Sequence, residues 1–100
     1  MSTRQDILQR IHDAVLDGRY IVTPHALTEM RDDRLVLSDI ESALLQGTIQ
    51  KEYRDDPRGM RYCVIGRGVD LSTPVAVVLR FIHDDHLLII TTFVPDLDDE

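Results

Sequence analysis

Three observations predict an α+β fold, with three N-terminal helices packed on one face of a four-stranded antiparallel sheet. Apolar residues recur at helical spacing through the first 47 positions and at a period of two afterwards. Capping and stop signals cut the first part into three helical segments. Turn residues then punctuate the second part at short intervals, as a meander of strands requires. With 43% hydrophobic and 29% charged residues among 100, there is apolar material for one core. Residues 1–95 therefore read as one domain, and the acidic stretch 96–100 as a loose tail.

The elements follow in order. Ser2 or Thr3 caps a first helix, with Asp6 three residues after Thr3, and Ile7, Ile11, Ala14 and Val15 make its apolar stripe up to Gly18. Tyr20-Ile21-Val22 reads as extended. Thr23-Pro24 starts a second helix, since Thr caps and Pro lacks only an N–H that has no partner there. Ala26, Leu27 and Met30 lie on it, and it frays near Asp32-Asp33. Ser38-Asp39-Ile40-Glu41 has the form of a capping box for a third helix, ended by Gly47. Thr48 to Arg54 then alternates, with Ile49, Lys51 and Tyr53 expected on one side. Asp55 to Gly59 is a turn. Met60 to Ile65 is a second strand, Gly66 to Pro74 a loop, Val75 to Ile82 a central strand, His83 to His86 a tight turn, and Leu87 to Val94 the last strand before Pro95.

Charge is unevenly spread. Eleven Lys and Arg against eighteen Asp and Glu give −7 overall. Residues 1–47 sum to −3, 48–67 to +2 and 68–100 to −6. An acidic chain repels a phosphate backbone, so duplex DNA is an unfavourable partner. Local anion contact by Arg is still open, because ten of the eleven cations are Arg. No apolar run approaches the roughly 20 residues a membrane span needs, and the N-terminus has no signal-peptide core. The expected compartment is the cytoplasm. One cysteine, Cys63, permits no intrachain disulfide.

Two residues stand out chemically. His25 falls in the first turn of the second helix with Glu29 one turn later, the spacing for a hydrogen-bonded general base; its structural alternative is a tie between loop and helix. Arg80 is the one charge in the strand Val75 to Ile82. It is either paired with a carboxylate such as Asp39 or Glu41 under the helices, or turned to an open polar groove. The groove is the expectation, because Val77, Leu79 and Phe81 can fill one face while Ala76, Val78 and Arg80 form the other. Tyr53, Tyr62 and Thr91 or Thr92 are expected to share that face, with Arg61 as a further contact. Such a set suits phosphate binding and metal-independent RNA cleavage. His83-Asp84-Asp85-His86 reads as a turn, and no ligand set with zinc spacing occurs. The sequence calls for no metal and no cofactor.

His25-Ala26 followed by Met30, Arg34, Asp39-Ile40, Leu44-Leu45, Gly47, Tyr53, Asp55 to Pro57 and Thr92-x-x-Pro95 resembles the pattern of the bacterial domain of unknown function 4258. The resemblance covers roughly Tyr20 to Pro95 and marks His25, Arg34, Tyr53 and Asp55 as motif positions. It implies a relative of the compact RelE and MqsR type toxins, which cut messenger RNA and are held by an antitoxin. Ala76 stands where the family often has His, and Phe93 where Tyr is common. Two functions are expected from this. One is an endoribonuclease toxin with His25 and Arg80 catalytic and Arg34, Tyr53, Asp55, Arg61, Tyr62 and Thr92 in contact with RNA or a partner. The other is a non-catalytic protein-binding or regulatory module of the same fold. Partners to expect are a cognate antitoxin, RNA, or a second copy forming a homodimer, and no membrane.

Overall fold

A computed structural model describes residues 3–96. Ser2 and the tail beyond Asp96 lie outside the described residues. Helix α1 (Arg4–Leu16) is capped by Thr3, whose Oγ1 accepts from the Asp6 N–H at 3.1 Å while Asp6 accepts from the Thr3 N–H at 3.2 Å. Its stripe of Ile7, Ile11, Ala14 and Val15 is buried as the spacing predicts. Strand β1 (Tyr20–Val22) leads into α2 (Pro24–Asp32), with Thr23 as cap. Helix α3 (Leu37–Gln46) follows, then β2 (Thr48–Tyr53), β3 (Arg61–Arg67), β4 (Pro74–Phe81) and β5 (Leu87–Phe93).

The sheet has five strands in the order β1-β5-β4-β3-β2, not four. Strands β2 to β5 form the expected antiparallel meander, and β1 adds to the β5 edge in parallel, pairing Tyr20 to Leu87 and Val22 to Ile89. Three residues carry too little pattern to predict pairing. The strand is fixed by its neighbours: the Tyr20 hydroxyl donates to Glu41 on α3, and the Thr23 N–H donates to the Ile89 carbonyl at 3.1 Å. Burial, reinforced by Glu41, pushes the Tyr20 phenol up to about 12.

Two further boundaries differ from expectation by more than one residue. Helix α3 starts at Leu37, and its cap is built by Asp39 rather than by Ser38 and Glu41. One Asp39 oxygen accepts from the Val36 N–H and the other from the Val69 N–H, both at 3.0 Å, while Glu41 is engaged by Tyr20. Strand β3 runs on through Gly66 to Arg67, so the loop begins at Gly68. Gly66 is a strand residue because α3 crosses it closely: a Cβ there would stand 2.3 Å from the Ala43 carbonyl oxygen.

All three helices lie on the same side. Val75, Val77 and Leu79 of β4 face them fully buried, against Ile11, Ile40, Leu44 and Ile89. Each such side chain contributes roughly 1.5–3 kcal/mol by leaving water. Among the described residues, no helix lies over the opposite side of the sheet. It holds a small cluster of Cys63, Ala76 and Val78, with Tyr53 and Ile65 against it.

Candidate functional site

The register places the side chains of the uncovered face in rows. Tyr53 pairs with Arg61, and one step beyond the Tyr62–Leu79 pair Arg61 stands beside Arg80, which pairs with Leu88. The next row is Lys51, Cys63, Val78 and Thr91. Four cations occur in the five strands, Lys51, Arg61, Arg67 and Arg80, and strand alternation turns all four to this face. The one acidic strand residue, Glu52, pairs with Tyr62 on the helix side and is held by Arg4 of α1 at 2.9 Å. A protein of charge −7 thus keeps one sheet face cationic.

A bulge decides the arrangement. The register of β2 on β3 slips between Ile49 and Lys51, so Ile49 is buried under the helices while Lys51 and Tyr53 turn outward. The expectation that Ile49, Lys51 and Tyr53 share one side is corrected by this extra residue, Gln50. A second slip in β5, between Ile89 and Thr91, puts Thr91 on the open face and Thr92, fully buried, on the other.

Tyr62 and Thr92 therefore do not join the open face. Tyr62 is buried in the helix-side core, edge-on to Phe81 with ring centroids 6.3 Å apart, and burial pushes its phenol up. Arg34 sits between α2 and α3 in a left-handed conformation, φ 59°, on none of these strands. The residues that come together are Tyr53, Arg61 and Arg80, with Asp55 at the mouth of the β2–β3 turn. Among the described residues Arg80 has no carboxylate partner, and it donates to the Arg58 carbonyl at 3.4 Å. That places it on the groove side, away from Asp39 and Glu41.

A cleft of about 600 Å³ opens between the turn and the strand ends, lined by Lys51, Tyr53, Arg54, Asp55, Arg58 and Arg61 among others. Lys51 and Arg61 both approach the Tyr53 ring, at 4.9 and 4.8 Å from its centre. Asp56 holds Arg58 and Arg61 at 3.2 and 3.1 Å. The Arg58 N–H, followed by the Arg58 and Arg61 charges, keeps the Asp56 carboxyl below the usual range.

His25 lies at the other border of this face. Thr23 ties its helical turn to β5: Oγ1 accepts from the Ala26 N–H and donates to the Ile90 carbonyl, both at 3.1 Å. The His25 Nε2 is 3.2 Å from Oε1 of Glu29, and that carboxylate accepts from the Thr91 hydroxyl and, at 3.2 Å, from the Thr92 N–H. Sequence spacing indicated the His25–Glu29 pair. Its anchoring on β5 depends on the bulge and left no local signal. Arg80 donates toward the β2–β3 turn at Arg58, and no hydrogen bond or ion pair among the described residues links it to His25.

Burial pushes the Cys63 thiol up, which makes it a poor nucleophile. Among the described residues, no group of three or more His, Cys, Asp or Glu is placed to hold a metal ion. No helix among them is long and apolar enough to cross a membrane. The model of the domain of unknown function 4258 (DUF4258) matches residues 22–94. The chain belongs to this family. No curated protein and no solved structure is matched by it. Within the DUF4258 motif, Ala26, Met30, Ile40 and Leu44 are core residues, whereas His25, Tyr53 and Asp55 border the open face or its cleft.

Proposed function

We propose that this DUF4258 protein is a RelE/MqsR-like, metal-independent endoribonuclease that takes single-stranded RNA across the open face of its sheet. The observation that carries this is the charge segregation: every strand cation faces the uncovered side, in an otherwise acidic molecule. Such a face attracts a phosphate backbone locally, and Tyr53 offers an aromatic edge for a base. His25 takes the proton of a ribose 2′-hydroxyl. The 2′-oxygen attacks phosphorus, the 5′-oxygen leaves and takes a proton from water, and a 2′,3′-cyclic phosphate remains. Arg80 stabilises the charge that builds on the phosphoryl oxygens. In a bacterial cytoplasm such an activity needs a restraining partner, and a cognate antitoxin lying on the same face would supply it.

A second reading, a non-catalytic protein-binding or regulatory module, is favoured by Ile21 and Phe93. These are 50% and 40% exposed at the β1–β5 end of the same face. One experiment separates the two. A single-stranded RNA and its all-deoxy analogue are incubated with the protein in EDTA. Cleavage of the RNA alone, with cyclic-phosphate ends, supports the nuclease. Intact RNA contradicts it and leaves the binding module.

A further inference from the structure

Glu29 has no part in the reaction as written, yet it is built into the sheet. Its Oε1 receives the Thr91 hydroxyl, the Thr92 N–H at 3.2 Å and the approach of His25 Nε2 at 3.2 Å. The two β5 groups lie just past Ile89, where β1 pairing stops. Glu29 therefore takes the place of a continuing strand and satisfies an edge N–H. Its location is set by β5 and its charge is directed at the imidazole. The His25 side chain is 71% exposed against 28% for Glu29, so the ring borders solvent while its anchor is partly shielded.

We propose that Glu29 is the positioning residue of His25: it fixes the ring with Nε2 toward the carboxylate and leaves Nδ1 as the proton-accepting nitrogen. An ionised carboxylate only accepts, so the nitrogen facing it carries the hydrogen. In a histidine the partner of one nitrogen decides which other nitrogen is free. The Thr23 bonds hold the first turn of α2 to β5, so the turn that carries the ring is tied to the strand that holds the carboxylate. This inference rests on the RNA-cleavage reading.

The test is NMR relaxation of the His25 ring in the full chain without RNA, for wild type and Glu29→Gln. A Gln keeps an amide oxygen for Thr91 and Thr92 and removes the charge. Retained exchange protection of the Thr92 amide shows that the edge survives. The expected result is an ordered ring in the wild type and an order parameter below about 0.6, the flexible range, in Glu29→Gln. Cleavage kcat should fall on the order of tenfold with KM unchanged, short of the 10²-fold or more expected from losing the base itself. Equal ring order in both proteins overturns the positioning role, whatever happens to RNA. If the ring loosens while wild type leaves RNA intact, the cleavage reading fails and the positioning stands. Should Glu29→Gln not fold, Thr91→Val, which removes one anchor of the carboxylate, must loosen the ring in the same direction or the proposal fails.

Discussion

At the scale of single residues, Arg80 shows how much one side chain's face decides. The alternation Val77, Leu79, Phe81 filled the core side, so the groove position of Arg80 was legible from its own strand. The faces of Tyr62 and Thr92 were not, because they depend on neighbouring strands, and no local residue marks the slips at Gln50 and Ile90. Arg80→Met should change stability by less than about 0.5 kcal/mol, as exposed substitutions usually do. It should weaken single-stranded RNA binding and reduce the salt slope by about one cation's share. Urea denaturation and anisotropy titrations at several salt concentrations measure the two effects; a loss above about 2 kcal/mol would place Arg80 in a structural ion pair instead. Asp70 makes a pH prediction. Hydrogen bonds from the Thr73 hydroxyl, then the Thr73 and Ser72 N–H groups, lower its carboxyl to about 2. A depressed folded value means stability that is present above the unfolded value, near 4, and lost as pH falls toward about 2. Asp70→Asn should flatten that part of the stability profile, and an unchanged acid limb would refute the assignment.

At the scale of elements, the helices were legible and the strand ends were not. Helix α1 announces itself through Thr3, Asp6 and its four-residue stripe. Gly66 misled because a glycine reads as punctuation, whereas here it is the point where α3 meets β3. Gly66→Ala should therefore destabilise the protein by about 2 kcal/mol or more, since the added methyl meets Ala43 backbone, which cannot give way as a side chain would. Thermal or urea unfolding reads this directly, and a change under about 0.5 kcal/mol would mean that the helix does not lie so close. The turn between β4 and β5 is held in place from α1. Arg10 grips Asp85 through two bonds of 3.2 and 2.7 Å and lies over the Phe81 ring at 4.0 Å. Arg19 donates to the Asp85 carbonyl at 2.7 Å. Asp84 and Asp85 both have positive φ there, a conformation these contacts sustain. Asp85→Ala removes the Arg10 fork and should destabilise the chain by up to about 1 kcal/mol, the upper end for an exposed ion pair; an unaltered urea midpoint would contradict that.

For the whole molecule, composition argued against duplex DNA and left local anion contact by arginine open, and the fold gives that contact a place. The positive balance of residues 48–67 was visible in sequence, but Arg80 lies in the segment summing to −6, and only the sheet brings it beside Arg61. If all four strand cations contact phosphates, the logarithm of single-stranded RNA affinity should fall with the logarithm of salt at a slope near −3, from about −0.7 per contact. A flat dependence would instead favour a protein partner at Ile21 and Phe93. Whether His25 acts as the base on RNA lying across this face is decided by single-turnover cleavage of a single-stranded RNA in EDTA by wild type and His25→Ala. The wild type should give cyclic-phosphate products, and His25→Ala should be slower by 10²–10⁴-fold, roughly the worth of a general base, while unfolding at the same urea concentration. Equal rates in the two proteins, or no cleavage by either, would contradict it.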